Sequence, residues 1–371
     1  MSGPAREAAW RAFLEAAGWG GIAAEPVAGD ASTRSYFRLR RDGGTAILMD
    51  APPGPDGPPI AAGLSYSALV HLAETMRPFA AIARHLTGLG LSAPEIFAQD
   101  LEAGFLLLED LGDAGFGKEI EAGRETERQL YTAAIDVLAH LHAMPAPGPL
   151  ACGDGGPDHR VPAFDDRAML TEASLLIEWY PRLGSVAHAD EAARAAFAAA
   201  WGEVFALTRH EPARLVLRDY HSPNLLWLRQ RQGMRRVGVI DFQDALAGPA
   251  AYDVASLLQD ARRTVAPEIE TALLARYIAA RSRQGEGFDP ALFRAAYAIM
   301  GAQRATKIIG IFARLCLRDG KPGYLAHLPR LAAYLGRDLA HPALAPVAEW
   351  FARHMPLAVL ARPVAPPEPA A

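Results

Sequence analysis

Asp219, Asn224 and Asp241 are the residues of this chain whose types and spacing are best suited to act together. They fall in two stretches, Leu217-Arg218-Asp219-Tyr220-His221-Ser222-Pro223-Asn224-Leu225-Leu226-Trp227-Leu228 and Arg236-Val237-Gly238-Val239-Ile240-Asp241-Phe242-Gln243-Asp244. The apolar run from Leu215 delivers Asp219 to a loop, and five residues later Asn224 opens a second apolar run. A polar turn at Gln230 to Gly233 follows, and a third run ends on Asp241. Paired as a hairpin, the last two runs would bring Asn224 and Asp241 side by side at one open end, with Asp219 a loop away. A carboxylate and an amide oxygen are the hard ligands that Mg²⁺ takes from protein, leaving its other positions to phosphates and water. A further carboxylate can accept the proton of an attacking hydroxyl. Those are the requirements of phosphoryl transfer, where positioning and electrostatics do most of the catalysis. Taken singly, each residue would equally suit a turn or a cap in a structural hairpin.

The elements around these residues divide the chain in two. Arg6 to Ala17 reads as a short amphipathic helix, and Tyr36 to Leu39 and Thr45 to Met49 read as strands joined at Gly43-Gly44. Ile82, Ala83, Leu86 and Leu89 share one helical stripe, and Phe105 to Leu108 is a short buried strand ending in Glu109-Asp110-Leu111-Gly112. Beyond Gly112 the periodicity is helical: Leu130, Ala134, Val137, Leu138 and Leu141 form a stripe that stops before Met144-Pro145. Ala192 to Leu207 is another Ala-rich helix. The expected plan is a β-rich lobe over residues 1–111, a helical lobe carrying one hairpin over 112–361, and a proline-rich frayed tail over 362–371.

Composition narrows the function classes. At 371 residues the chain is long enough for two cores. A net charge of −5 argues against a nucleic-acid partner, since phosphate backbones are held by clustered Lys and Arg. No apolar run reaches the length of a membrane span, and the N-terminus lacks the apolar core of a signal peptide. The two cysteines, Cys152 and Cys316, show no metal spacing and are expected as unpaired thiols in a reducing cytoplasm. These features suit a cytoplasmic monomer with small-molecule partners.

The pattern D-x-x-x-x-N followed by D-F resembles the catalytic and metal-binding motifs of protein kinases and aminoglycoside phosphotransferases. The resemblance implies an α+β, bilobal, protein-kinase-like fold, with ATP and Mg²⁺ as cofactors, Asp219 as catalytic base, and Asn224 and Asp241 as metal ligands. In Gly248-Pro249-Ala250-Ala251-Tyr252-Asp253, Asp253 matches the family aspartate that braces the catalytic loop. As a first-turn carboxylate it would also suit the helix dipole. Val254, Leu257, Leu258 and Ala261 continue that helix as its buried stripe, which assigns Ser256, Asp260 and Arg263 to another face, toward solvent or cleft. Gly29 to Tyr36 takes the place of the phosphate-covering loop, so Ser32, Thr33 and Arg34 are candidate nucleotide contacts. Glu109 and Leu111 take the place of the adenine-binding hinge. The strand that in kinases bears a phosphate-pairing lysine reads Ala46-Ile47-Leu48-Met49-Asp50, without one, so either Arg38 or Arg34 supplies that charge or nucleotide affinity is modest.

Six segments, among them GDASTRSYFRL, GFLLLEDLGD and QRATKIIGIFARLCLRDGKPGYLAHLPR, are similar to one branch of these phosphotransferases over residues 10–352. That branch includes bacterial anomeric kinases of cell-wall recycling. The resemblance therefore implies transfer of the ATP γ-phosphate to the anomeric hydroxyl of an N-acetyl amino sugar, N-acetylmuramate or N-acetylglucosamine, in peptidoglycan recycling. For the sugar, Glu178, Trp179 and Tyr180 offer a carboxylate beside aromatic faces. Gln303, Arg304 and Lys307 share a helical face that could meet a carboxylate. Both clusters would also serve as core packing and solvated charge, and His140 and His142 read as helix-end packing residues. Arg304, Lys307 and Arg318 point away from a cationic aminoglycoside acceptor. Choline or homoserine kinases, or a nucleotide-binding pseudokinase, are the alternative readings.

Overall fold

A computed structural model describes residues 3–27, 34–52, 57–184, 186–209, 212–284 and 287–364. The candidate contacts Ser32 and Thr33, and residues 365–371 of the expected tail, lie outside the described residues. In chain order the strands are β1 (Ala24–Val27), β2 (Ser35–Arg41), β3 (Gly44–Asp50), β4 (Ile96–Asp100), β5 (Phe105–Glu109), β6 (Arg214–Val216), β7 (Leu225–Trp227), β8 (Val237–Val239) and β9 (Leu246–Gly248). The helices begin with α1 (Gly3–Ala16), α2 (Tyr66–Val70), α3 (Arg77–Gly88), α4 (Phe116–Glu121) and α5 (Glu127–Leu141). They continue with α6 (Asp166–Trp179), α7 (Glu191–Ala206), α8 (Ala251–Leu258), α9 (Pro267–Gln284), α10 (Pro290–Asp319), α11 (Leu328–Leu339), α12 (Ala345–His354) and α13 (Leu357–Leu360). The fold is the expected α+β, kinase-like one, with an antiparallel N-terminal sheet and a helical C-terminal part.

Contacts group the chain into two compact units. The first comprises Met1–Val137, Pro147–Pro162 and Pro223–Ala245; the second comprises Leu138–Ala146, Ala163–Ser222 and Leu246–Ala371. In the first, the strands run in the order β1-β2-β3-β5-β4, all antiparallel. The β2–β3 turn uses Gly43 at φ 95°, a region that glycine enters at no steric cost. Trp10 and Leu14 of α1 pack with Leu39, Leu48, Phe105 and Leu107 into one apolar cluster on the sheet. The β7–β8 hairpin belongs to this unit because its backbone is tied there. Trp227 N–H donates to Ala114 O at 2.8 Å, and Val239 N–H donates to Ser92 O at 2.8 Å.

In the second unit, α10 is the organising element. Its 30 residues start at Asp289, whose side chain accepts from the N–H groups of Ala291 and Leu292, with Pro290 at the first helical position. It ends on Gly320 in the left-handed conformation. Between these caps it is buried on nearly every side, packing against α6, α8 and α11. The approach to α6 is close enough to need glycine. A β-carbon on Gly310 would lie 2.3 Å from the Leu175 carbonyl carbon and 2.4 Å from Leu176 N. Gly310→Ala is therefore expected to push α10 off α6 and lower stability by about 1–3 kcal/mol. Urea unfolding would measure this, and an unchanged midpoint would contradict the packing.

Candidate active site

In the first unit, β7 and β8 pair as Leu225↔Val239, Leu226↔Gly238 and Trp227↔Val237. Ile240 N–H donates to Asn224 O at 3.1 Å just beyond the ladder, so Asn224 and Asp241 leave the hairpin at the same end. The Asn224 amide lies 3.3 Å from Asp241 Oδ2, as the spacing anticipated. Asp241 sits at φ 61°, an unusual backbone for a residue with a β-carbon and one that surrounding contacts must hold. Those contacts are identifiable. Phe242 is fully buried and stacks on Phe79 of α3 at 4.8 Å between centroids, and Asp244 accepts the Ala73 N–H at 2.6 Å.

The carboxylate of Asp241 gathers cationic and polar hydrogens. Gln243 Nε2 donates to Oδ1 at 2.8 Å, and Arg34 Nη1 stands 3.5 Å from the same oxygen. Its side chain nonetheless stays 42% exposed. A half-open carboxylate beside an amide, itself able to present its oxygen by a flip, is a donor set that fits Mg²⁺ sharing its ligands with phosphate.

Arg34 and Arg38, the two candidates for the missing lysine's duty, part company here. Arg38 is held by the hinge acids, with Nη1 2.8 Å from Asp113 Oδ2 and Nη2 3.0 Å from Asp110 Oδ1. The Arg38 hydrogen bond is the main reason why Asp113 falls below the usual carboxylate range. Arg38 and Asp113, with Glu25, Pro26, Val27 and Lys118, line a cavity of about 300 Å³. Glu109 pairs through its side chain with Arg231 and through its backbone with Ala46 of β3. Leu111 is half-buried, its Cδ1 directed at Gly238 of the hairpin.

In the second unit, the run before Asp219 forms β6, and it pairs with β9 rather than with the hairpin (Leu215↔Ala247). The chain then turns sharply, with Arg218 at φ 65°. Asp253, in the first turn of α8 and fully buried, accepts the Leu217 N–H on Oδ2 at 2.7 Å and the Arg218 N–H on Oδ1 at 2.9 Å. Ser256 Oγ donates to Arg218 O at 3.2 Å, and Asp260 Oδ2 accepts the Ser222 N–H at 3.1 Å. The sequence placed Ser256 and Asp260 on a solvent or cleft face. Both are fully buried, because the loop lies across that side of the helix. Behind Asp253, His142 Nε2 is 3.5 Å from Oδ2 while Nδ1 meets the Tyr277 hydroxyl at 2.9 Å.

Around Asp219 the second unit assembles buried charge. Arg218 and Lys307 both pair with Glu172, the latter at 2.6 Å, and Arg304 Nη2 lies 3.3 Å from His221 Nδ1. Burial pushes Asp219 up, but the surrounding cations, Lys307 foremost with Arg218 and Arg304, outweigh it and hold the carboxyl below its ordinary value. Asp219 is therefore ionised at neutral pH.

The acceptor candidates need correction. Tyr180 is wholly buried and donates to Val359 O at 3.3 Å, so it offers no open ring to a sugar. Glu178 pairs with Arg194, and Trp179 carries Arg182 over its ring at 4.6 Å. Arg304 and Lys307 are no open cationic face: they are 4% and 8% exposed, and Gln303 is fully buried against Met169 O and Glu172. Glu172 and His221 were not singled out in the sequence, where nothing near them in the chain marks them. Ser256 and Asp260 did carry a signal, their i+3 and i+7 spacing from Asp253.

The fold is that of the kinase-like phosphotransferases. The phosphotransferase enzyme family matches residues 23–291, and the chain belongs to that family. It is 44% identical over 361 residues to the N-acetylmuramate/N-acetylglucosamine kinase of Caulobacter vibrioides, covering 95% of this chain and 97% of that protein. The enzyme of the same description from Pseudomonas aeruginosa is 35% identical over 349 residues, covering 91% of each chain. Among solved structures, the GDP complex of aminoglycoside 2'-phosphotransferase-IIIa matches with a TM-score of 0.55 at 13% identity, over 90% of this chain and 99% of that one, a likeness of fold.

The burial of His221 has a consequence for stability. Burial and Arg304 lower its proton affinity more than Asp260 and Asp219 raise it, so folding favours the neutral ring. A histidine lowered on folding supports the native state above its unfolded pKa of about 6.5 and loses that support as pH falls below it. His221→Asn is expected to make the acid slope of stability shallower by up to about 1.4 kcal/mol per pH unit. Urea unfolding from pH 5 to pH 8 checks this; an unaltered slope would mean that His221 is already charged when folded.

Proposed function

We propose that this chain is an ATP- and Mg²⁺-dependent kinase that phosphorylates the anomeric hydroxyl of N-acetylmuramate or N-acetylglucosamine, on the peptidoglycan-recycling route. The observation that carries the reading is the loop held by Asp253, with an ionised Asp219 on it and the Asn224–Asp241 pair beginning five residues later. The 44% identity over nearly the whole chain to a kinase of that description supports the choice of acceptor.

Each residue then has a defined task. Asp219 accepts the proton of the sugar C1 hydroxyl and aims its oxygen at the γ-phosphorus. As that P–O bond forms, the bond from the γ-phosphorus to the bridging oxygen of ADP breaks. Asn224 and Asp241 would hold Mg²⁺, which when bound screens the charge of the phosphates. Arg34, already at Asp241, supplies the positive charge that the lysine-free strand β3 lacks. The first unit takes the nucleotide, with Glu109 and Leu111 on the hinge backbone, and the cavity beside Arg38 and Asp113 is the place for its base or ribose. The second unit takes the sugar. Among the described residues no helix is long and apolar enough to cross a membrane, and both cysteines are free thiols. We place the enzyme in the cytoplasm as a monomer with small-molecule partners only.

The test is coupled ADP release with Mg-ATP and N-acetylmuramate, N-acetylglucosamine, kanamycin, choline or homoserine. The N-acetyl sugars are expected to turn over. Asp219→Asn is expected to lose about 10²–10⁴-fold in kcat while binding ATP as before. Turnover of another acceptor in their place would overturn the substrate, and an active Asp219→Asn would overturn the base.

A further inference from the structure

One fully buried carboxylate has no task in this scheme. Glu172 of α6 is 0% exposed and takes three partners: Arg218, Lys307 Nζ at 2.6 Å and Gln303 Nε2 at 3.1 Å. Lys307 in turn meets the Tyr252 hydroxyl at 3.2 Å and stands 5.7 Å from that ring's centroid. The ammonium's direct partners are Glu172 from α6 and Tyr252 from α8, and the loop adds the charges of Arg218, which shares Glu172, and of Asp219. Arg304, on the same helix, and His221 pair with each other beside it. Glu270 of α9 meets α10 earlier, at Tyr297, and Asp338 of α11 meets it at Gly301.

A lysine this buried keeps its proton only while a carboxylate stays beside it, because a low-dielectric surrounding disfavours the charged form. Burial is the largest influence on Lys307 and acts downward; Glu172 and Tyr252 outweigh it and hold the ammonium above the ordinary lysine range. Glu172 also fixes Arg218, the residue whose backbone turns the chain into Asp219. One side chain therefore anchors both the Arg218 guanidinium and the Lys307 ammonium.

We propose that Glu172 is a positioning residue for phosphoryl transfer, keeping Lys307 permanently cationic beside Asp219. The charge keeps Asp219 ionised and offsets the negative charge brought up by the transferring phosphoryl group. Arg34 takes the missing strand lysine's place on the nucleotide side; this second, buried cation is on helix α10 and depends on a carboxylate of helix α6. The inference rests on the kinase reading given above.

Glu172→Gln keeps the shape and removes the charge. The wild-type kcat is expected to stay level from about pH 7 to about pH 10, as a paired lysine would. In the variant it should fall on the alkaline side, about tenfold per pH unit once Lys307 loses its proton. The double variant Glu172→Gln with Lys307→Arg should recover a level profile, because a guanidinium does not deprotonate in this range. With only three lysines in the chain (Lys118, Lys307 and Lys321), NMR of ¹³C-labelled lysine can follow Lys307 directly, and it should titrate at lower pH in Glu172→Gln. A purely structural Glu172 would lower stability without creating the alkaline limb. An active wild type whose variant keeps a level profile overturns this inference alone, as does a shifted Lys307 titration that leaves the profile level. A wild type that phosphorylates no acceptor overturns the kinase reading and this inference with it.

Discussion

Two consecutive backbone N–H groups, those of Leu217 and Arg218, point into the second unit and must find an acceptor there. Such donors cannot be left dry without losing about 1–3 kcal/mol each. The Asp253 carboxylate takes both, one on each oxygen, at 2.7 and 2.9 Å. Charged acceptors bind N–H groups about twice as strongly as neutral ones, which helps to hold Arg218 in a left-handed conformation that its side chain disfavours. Ser256 of the same helix and Asp260 just beyond its end continue the grip, so α8 and the residues that follow it fix the loop both before and after Asp219.

The second constraint is electrostatic. Burying Glu172, Arg218, Lys307 and Arg304 together would be costly for any of them alone, and breaking one such pair typically costs about 3–5 kcal/mol. As a cluster they satisfy one another and leave a surplus of positive influence on Asp219. Natural proteins retain such arrangements where the field itself is useful. In the first unit the logic is reversed: Asp241 stays half-exposed, with Arg34 and two amides around it.

What could be read in the sequence was local. The hairpin that joins Asn224 to Asp241 follows from two short apolar runs and the turn between them, and the α8 aspartate from its match to the family's G-P-x-x-x-D segment. The strands and helices of the N-terminal part came from periodicity and from the Gly43-Gly44 turn, because near neighbours decide those. Contacts between distant segments were not legible. Nothing near Glu172 in the chain announces that it will meet Lys307, and the partner of β6 lies thirty residues away across the hairpin. The same limit explains the acceptor candidates: a Tyr, Lys or Arg reads alike whether its tip is wet or buried against a partner. Likewise, only the structure separates Arg38, tied to Asp110 and Asp113, from Arg34 at Asp241.

The central claim is that the Asp253 carboxylate sets the geometry from which Asp219 works. The most direct measurement is the kcat of Asp253→Asn on N-acetylmuramate at saturating Mg-ATP. Asparagine keeps the volume but can accept only one of the two N–H groups, and it turns an amide hydrogen toward the other. Misplacement of a catalytic group by about 1 Å can cost about a hundredfold, and a fall of that order is expected with nucleotide affinity unchanged. A kcat within about twofold of the wild type would show that the loop holds its course without this carboxylate, and the account would be wrong at its foundation.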